Sequence, residues 1–152
     1  MSNPTGSNVS EIRVRTSGEV LCRVDLYNVG NPNMGVSVRL GDVTVRVHEL
    51  EALNELHYVW AVAEDEMSGL PGYYEDVHAG GNPGLHRAHV LVDLPGVPTR
   101  TCTRIPKTSH SPAHLRIQFG PIAWEVTDYM AWRDCVTALT NAINAYDAVD
   151  PR

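Results

Sequence analysis

The residues of this chain that could carry out chemistry are concentrated in a histidine-rich stretch between residues 78 and 114. Imidazole nitrogens and carboxylates are good zinc and iron ligands, and Glu75 and Asp76 come just before this stretch. No HExxH or CxxC motif accompanies them. A metal-dependent hydrolase is therefore one open interpretation, and loop histidines that only titrate near neutral pH are the other. The candidate ligands are His78, His86, His89, His110 and His114.

Arginine is the second residue type with chemistry to offer. Five arginines of the first half alternate with apolar residues, which predicts that they project from the same side of one sheet, with Tyr27 beside them. Guanidinium groups pair with phosphates and aromatic rings stack on unpaired bases, so single-stranded nucleic-acid binding is one interpretation of the pattern. The alternative is a solvated face on which the arginines pair with nearby carboxylates. The five are Arg13, Arg15, Arg23, Arg39 and Arg46.

An acidic, tyrosine-bearing surface is the third candidate site. Tyrosines on loops are frequent protein contacts, and a carboxylate-rich surface attracts a basic partner. A protein-binding surface is therefore one interpretation of this feature, and an ordinary solvated linker is the other. Its members, on a glycine-rich connector and a predicted helix, are Tyr73, Tyr74, Glu75, Asp76, Glu51 and Glu55.

The cysteines do not indicate a catalytic nucleophile. Cys22 and Cys135 fall on the apolar faces of a predicted strand and a predicted helix, which is typical of core thiols, and the position of Cys102 stays open. The chain also lacks a GxSxG elbow. We therefore expect a protein that is not an enzyme and that uses no cofactor.

The composition is that of an ordinary globular domain of 152 residues, with 43% hydrophobic and 20% charged residues. A net charge of −6 argues against a protein whose whole surface grips nucleic acid. The three cysteines form no even framework, the first ten residues lack an apolar signal core, and no run approaches the roughly 20 apolar residues that span a bilayer. We therefore expect a soluble, cytoplasmic protein without membrane contact.

The elements that must position these residues occur twice. The stretch from Val36 to Asp65 is matched 79 positions later by the stretch from Leu115 to Asn144, with apolar residues in the same phase. Gly41-Asp42 and Gly120-Pro121 occupy the same place between two alternating segments. Glycine followed by aspartate or proline suits a type II′ hairpin turn, so the two sequences satisfy one turn geometry.

Alternation before each stretch predicts two further strands per half, and helical periodicity after each hairpin predicts a helix. Thr127 is the expected N-cap of the second helix, with Asp128 in its first turn. Each helix is expected on one face of its own sheet. The sequence thus predicts an α+β protein of two tandem ββββα repeats with antiparallel sheets and a pseudo-two-fold axis, at residues 11–65 and 89–145, joined by a Gly-rich connector at 66–88.

The order ββββα resembles that of the single-stranded-DNA-binding transcriptional coactivator family, in the order of elements alone. The resemblance implies nucleic-acid binding across an open sheet, and it assigns no site residue, because no motif matches residue by residue. The leading expectation is nevertheless a non-catalytic binding or adaptor protein whose partner is another protein. Nucleic acid is the second expected partner, and homodimerisation is left open.

Overall fold

The computed structural model describes residues 11–75 and 88–150. Within these ranges the chain is α+β, as the sequence predicts, and each half has four strands followed by a helix. Helix α2 continues past the end at residue 145 that the sequence predicts. In chain order the elements are β1 (Ile12–Thr16), β2 (Cys22–Tyr27), β3 (Gly35–Leu40), β4 (Val43–Val47), α1 (Leu50–Ala61), a 3₁₀ helix (Val62–Met67), β5 (Val90–Leu94), β6 (Arg100–Ile105), β7 (His114–Phe119), β8 (Ile122–Val126) and α2 (Tyr129–Val149). In these two ranges, neither α-helix combines the length and apolar character that crossing a membrane requires.

The hairpins β3–β4 and β7–β8 have the tight turns that the sequence predicts. Gly41-Asp42 and Gly120-Pro121 each separate two residues that pair directly across the hairpin. The glycines have φ angles of 70° and 59°, a region that glycine enters without steric cost. The second residue of each turn is outside the positive-φ region, which suits a type II′ turn and explains why proline is accepted there.

The two sheets exchange their first strands. Sheet A has the strand order β1-β8-β7-β6, and sheet B has the order β2-β3-β4-β5. β1 runs parallel to β8, and β5 runs parallel to β4. This differs from the sequence prediction, in which each half forms its own antiparallel sheet. Alternation identifies a strand, but the choice of its neighbour depends on contacts that are distant in sequence.

Each helix packs against strands of the other half. α2 packs against β2 and β3, and α1 packs against β6 and β7 as well as β4. The sequence instead places each helix on its own sheet. Helical periodicity determines which face of a helix is buried, but it does not determine which surface covers that face.

One continuous apolar core joins both sheets and both helices. The ring of Trp60 on α1 lies edge-on to the ring of Trp124 on β8, with 5.5 Å between centroids. Trp132 Nε1 on α2 donates a hydrogen bond to the Trp60 backbone oxygen at 2.8 Å. His57 lies at the border of this core: its Nε2 is 3.1 Å from Thr140 Oγ1, and burial lowers its pKa.

The carboxylate of Asp128 joins three segments of the chain. Its Oδ1 accepts a hydrogen bond from Ala131 N at 2.8 Å, and its Oδ2 accepts from Gly18 N and Tyr74 N, both at 2.7 Å. Asp128 is completely buried. It is therefore the N-cap of α2, in place of the expected Thr127, whose hydroxyl contacts the backbone at the end of β1 instead.

Replacing Asp128 with alanine should lower the free energy of unfolding by about 3 kcal/mol, because three backbone N–H groups lose their acceptor. Denaturant titration followed by tryptophan fluorescence measures this change. Glu49→Ala is the matched control, since exposed Glu49 occupies the same place before α1 and makes no capping bond. The control should change stability by less than about 0.5 kcal/mol. Equal losses in both variants would contradict the role assigned to Asp128.

The exchange of strands predicts that neither half folds alone. A fragment that ends at residue 81 carries β1 without its partner β8 and β4 without its partner β5. The remaining fragment carries β8 without β1 and β5 without β4. We expect neither fragment to unfold cooperatively on heating, whereas an equimolar mixture regains a cooperative transition. Circular dichroism melts check this, and a cooperative transition in either isolated fragment would refute it.

Candidate protein-binding groove

The predicted arginine face is divided between the two sheets. Arg13 and Arg15 lie on β1 in sheet A, whereas Arg23, Arg39 and Arg46 lie on β2, β3 and β4 in sheet B. The prediction of one common face is therefore wrong. The physical reason is the parallel pairing of β1 with β8, which removes β1 from the sheet of its own half.

The arginines of sheet B are engaged by neighbours within the molecule. Arg23 forms an exposed ion pair with Asp25 at 2.8 Å, and Arg39 Nε donates to the backbone oxygen of Gly41 at 2.9 Å. The guanidinium of Arg46 lies 4.5 Å from the centroid of the Tyr27 ring. On sheet A, Arg13 is likewise paired with a carboxylate, at 3.1 Å. These contacts match the sequence alternative of a solvated, self-paired face.

A polar chain crosses sheet B beside Arg46. The Tyr27 hydroxyl lies 2.9 Å from His48 Nδ1, and His48 Nε2 lies 2.5 Å from Asp93 Oδ1. Burial raises the pKa of Tyr27, against the opposing effect of Arg46. The Tyr27 ring covers Gly35, where any Cβ would collide with the tyrosine. The chain therefore links β2 to β5 across the sheet, and sequence analysis missed it because Asp93 belongs to the other half.

The histidines do not form the predicted cluster in the part of the chain that the structure describes. His78 and His86 lie outside the described residues. His89 Nε2 lies 2.7 Å from Thr44 Oγ1 on sheet B, whereas His110 and the buried His114 lie before and on β7 in sheet A. Between residues 11 and 75 and between 88 and 150, no three His, Cys, Asp or Glu side chains are placed to hold a metal ion.

The acidic, tyrosine-bearing residues are also separated. Tyr73 is exposed and its ring lies beside Gly18, while the backbone of Tyr74 is held by Asp128. Glu75 is exposed, and Asp76 lies outside the described residues. Glu51 is exposed on α1. The connector is therefore hydrogen-bonded to the start of α2 between residues 71 and 74.

An open groove of about 600 Å³ runs between β2 and α2. β2 is one of the two outer strands of sheet B. Its residues Cys22 and Val24, together with the preceding Val20, form one wall of the groove. Asp134 and Thr137 of α2 contribute to the other wall. Val20 N donates to Asp134 Oδ2 at 3.0 Å, which closes one end of the strand against the helix.

Among residues 11–75 and 88–150, no strand pairs with the outer edge of β2, and backbone groups of β2 point to that side. The backbone oxygen of Leu21 accepts from the β3–β4 turn, so Leu21 points towards β3, whereas the N–H of Val20 points away. Successive residues of a strand alternate in this direction, so the N–H and C=O groups of Cys22, Val24 and Leu26 also point away from β3. Such a row of groups is a template for a further strand.

At the equivalent place beside β6, arginine side chains reach across to α1 and to the segment after it. Arg100 stands 78 positions after Cys22, forms an ion pair with Glu55 at 2.5 Å and lies 4.6 Å from the centroid of the Tyr58 ring. Arg104 donates to two backbone oxygens in the segment after α1, both at 2.7 Å. Glu55 is thus paired within the molecule, and the groove beside β2 stays open where its counterpart is occupied.

A pair of thiols lies beneath the groove. A hydrogen bond with buried Cys135 lowers the pKa of the half-buried Cys22 thiol, although burial and Asp134 act in the opposite direction. Burial raises the pKa of Cys135 well above its ordinary value, and burial likewise raises the pKa of Cys102 on β6. Cys22 packs against the core, as its sequence pattern indicates, and it also lines the groove.

Alkylation of the thiols should follow this order of pKa values. Iodoacetamide reacts with the thiolate, so Cys22 should be labelled at a pH below 9.0, the ordinary thiol value, and Cys102 only at higher pH. Mass spectrometry of tryptic peptides across a pH series measures both profiles, and buried Cys135 is the internal control that stays unlabelled. Identical profiles for Cys22 and Cys102 would contradict the contact between Cys22 and Cys135.

Comparison with known proteins leaves the site to be interpreted from its own geometry. No family model, no curated protein and no solved structure matches this chain. The sequence carried one usable signal for the groove, the alternation of residues 20–27, which correctly predicts a strand. That this strand lies at the edge of a sheet, and beside a helix from the other half, follows only from the tertiary structure.

Proposed function

We propose that this protein is a non-catalytic protein-binding module, and that its recognition surface is the edge of β2 together with the groove beside α2. One observation carries the proposal: the outward-pointing backbone of β2 stands next to an open groove of about 600 Å³. In recognition by strand addition, backbone hydrogen bonds supply affinity and an adjacent groove selects alternate side chains. Both components are present here in one place.

The lining of the groove defines the segment that it accepts. Val20, Val24 and Ala138 make part of the surface apolar, while Arg133 and Asp134 place charges of both signs along α2. An added strand directs every second side chain into the groove and the others towards solvent. The bound segment is therefore extended, and its apolar residues occupy alternate positions.

We also infer that the two halves are a tandem duplication related by a pseudo-two-fold axis. The orders of the two sheets, read from the exchanged strand inwards, correspond element by element. The cross-strand pair Arg46 and Asp93 in sheet B corresponds to Glu125 and Arg15 in sheet A, with the charges reversed. Such a reciprocal change keeps opposite charges facing each other. If the fold is duplicated, Arg100 occupies the place beside β6 that corresponds to the groove beside β2. Binding is then restricted to the edge of β2.

The other two interpretations have less support. Single-stranded nucleic acid needs a surface with net positive charge, but Arg23 faces Asp25 and Arg46 faces Asp93 on sheet B. A metal-dependent hydrolase needs convergent ligands, and no three potential metal ligands converge among the described residues. All three cysteines are free thiols, which supports a reducing, cytoplasmic setting.

Val24→Pro tests recognition by strand addition. Proline removes the outward N–H and places its ring at the edge, a position where edge strands tolerate it. Short peptides selected from a random library on the wild-type protein serve as probes, and their affinity should fall at least about tenfold, the equivalent of one or two backbone hydrogen bonds. Isothermal titration calorimetry measures the affinities.

Cys102→Pro is the matched control for this variant. It stands 78 positions after Val24 and has the same outward direction on β6, so the selected peptides should bind it as they bind wild type. Melting temperatures verify that both variants are folded. Peptides that bind both variants equally would count against the proposed surface, and so would a library that yields no binders on a monomeric protein.

A further inference from the structure

We propose that the segment that occupies the edge of β2 is β2 of a second copy of this chain, added antiparallel with a two-fold axis at Val24. This proposal rests on the proposed function, because it uses the same edge and groove. It joins two copies of sheet B into one continuous sheet of eight strands. The argument comes from the complementarity of β2 with itself.

The backbone groups match in this register. In an antiparallel pair centred on Val24, Val24 lies opposite its own copy and Cys22 lies opposite Leu26 of the second copy. These are the three residues whose N–H and C=O groups point away from β3. Each of them therefore meets a residue that also points towards the new partner, which is the condition for a ladder of paired hydrogen bonds.

The side chains on the outer face also match. Arg23 lies opposite Asp25 of the second copy, and Asp25 lies opposite Arg23, so the two-fold axis creates two opposite-charge pairs. Opposed residues of this kind have closely spaced Cβ atoms and stabilise strand pairing. One step further out, Leu21, which is 64% exposed, lies opposite Tyr27 of the second copy. An exposed apolar side chain thereby gains an aromatic neighbour.

The inner face accommodates the helices. Val24 meets Val24, and Cys22 meets Leu26, so apolar side chains face the groove on both sides of the axis. α2 lies beneath β2 and β3, and neighbouring strands are about 4.8 Å apart. The two copies of α2 would then lie about 10 Å apart, close to the 8–10 Å at which helices pack against each other.

The edge of β6, in contrast, is not complementary to a second copy of itself. The equivalent axis at Cys102 would place Arg100 opposite Arg104 of a second copy, which brings like charges together. These two arginines are also held by Glu55 and by backbone oxygens of their own chain. Self-complementarity is therefore a property of the β2 edge and not of every edge of this fold.

Light scattering coupled to gel filtration tests the dimer in the intact chain. At micromolar concentrations the wild type should have twice the mass of the 16.7 kDa chain. Arg23→Asp and Asp25→Arg each place like charges opposite each other twice, so each should raise the dimer dissociation constant at least about tenfold. The combined variant Arg23→Asp with Asp25→Arg restores opposite pairs and should restore the dimer.

Arg13→Asp is the matched control, since Arg13 is an exposed, ion-paired arginine on the edge strand β1 of the other sheet. It should leave the dimer unchanged. A monomeric wild type, a dimer that persists in both single variants, or a combined variant that stays monomeric would each overturn the proposal. The proposed function is judged separately. If the wild type is monomeric but binds selected peptides that Val24→Pro no longer binds, the dimer is refuted and the proposed function stands. If the wild type is monomeric and selects no peptides, both proposals fail.

Discussion

The buried carboxylate of Asp128 is the interaction on which the rest of this structure depends. It holds the turn after β1 through Gly18, the connector through Tyr74 and the first turn of α2 through Ala131. A carboxylate that accepts three backbone hydrogen bonds in the interior forms charge-assisted bonds that are stronger than neutral ones. Because one side chain fixes all three segments, the chain turns after β1, which pairs with β8, and enters β2, which packs on α2.

The exchange of strands determines how each sheet edge is used. Two outer strands, β1 and β5, are held in parallel pairs with the hairpin of the other half. On β6, arginines reach across to α1 and to the segment after it. The groove beside β2 is open instead. An exposed strand edge is prone to pairing with other chains, and for this reason we propose the edge of β2 as a binding surface.

The charged and aromatic groups of sheet B contact one another across its strands. Tyr27, His48 and Asp93 form a continuous polar chain across sheet B, and Arg46 lies over the tyrosine ring. Cross-strand contacts of this kind contribute to the pairing of strands and fix their register. The arginines that suggested phosphate binding therefore have partners within the protein. The thiol of Cys22, in contrast, lies on the groove and reports on its accessibility.

The sequence by itself determined the local structure of this protein. Alternation identified the strands, the turns at Gly41 and Gly120 were read from residue type, and helical periodicity located α1 and α2, because these features depend on residues close in sequence. Three features were decided only in the tertiary structure. They are the strand that pairs with β1, the packing of each helix on strands of the other half, and the capping role of Asp128. The candidate site belongs to this second class. The position of β2 at the edge of its sheet, and the groove between β2 and α2, depend on contacts between residues far apart in sequence. Val20 and Asp134, which are more than a hundred positions apart, make one such contact. Periodicity carries no information about such contacts, since it records which face of an element is apolar and not which element covers it.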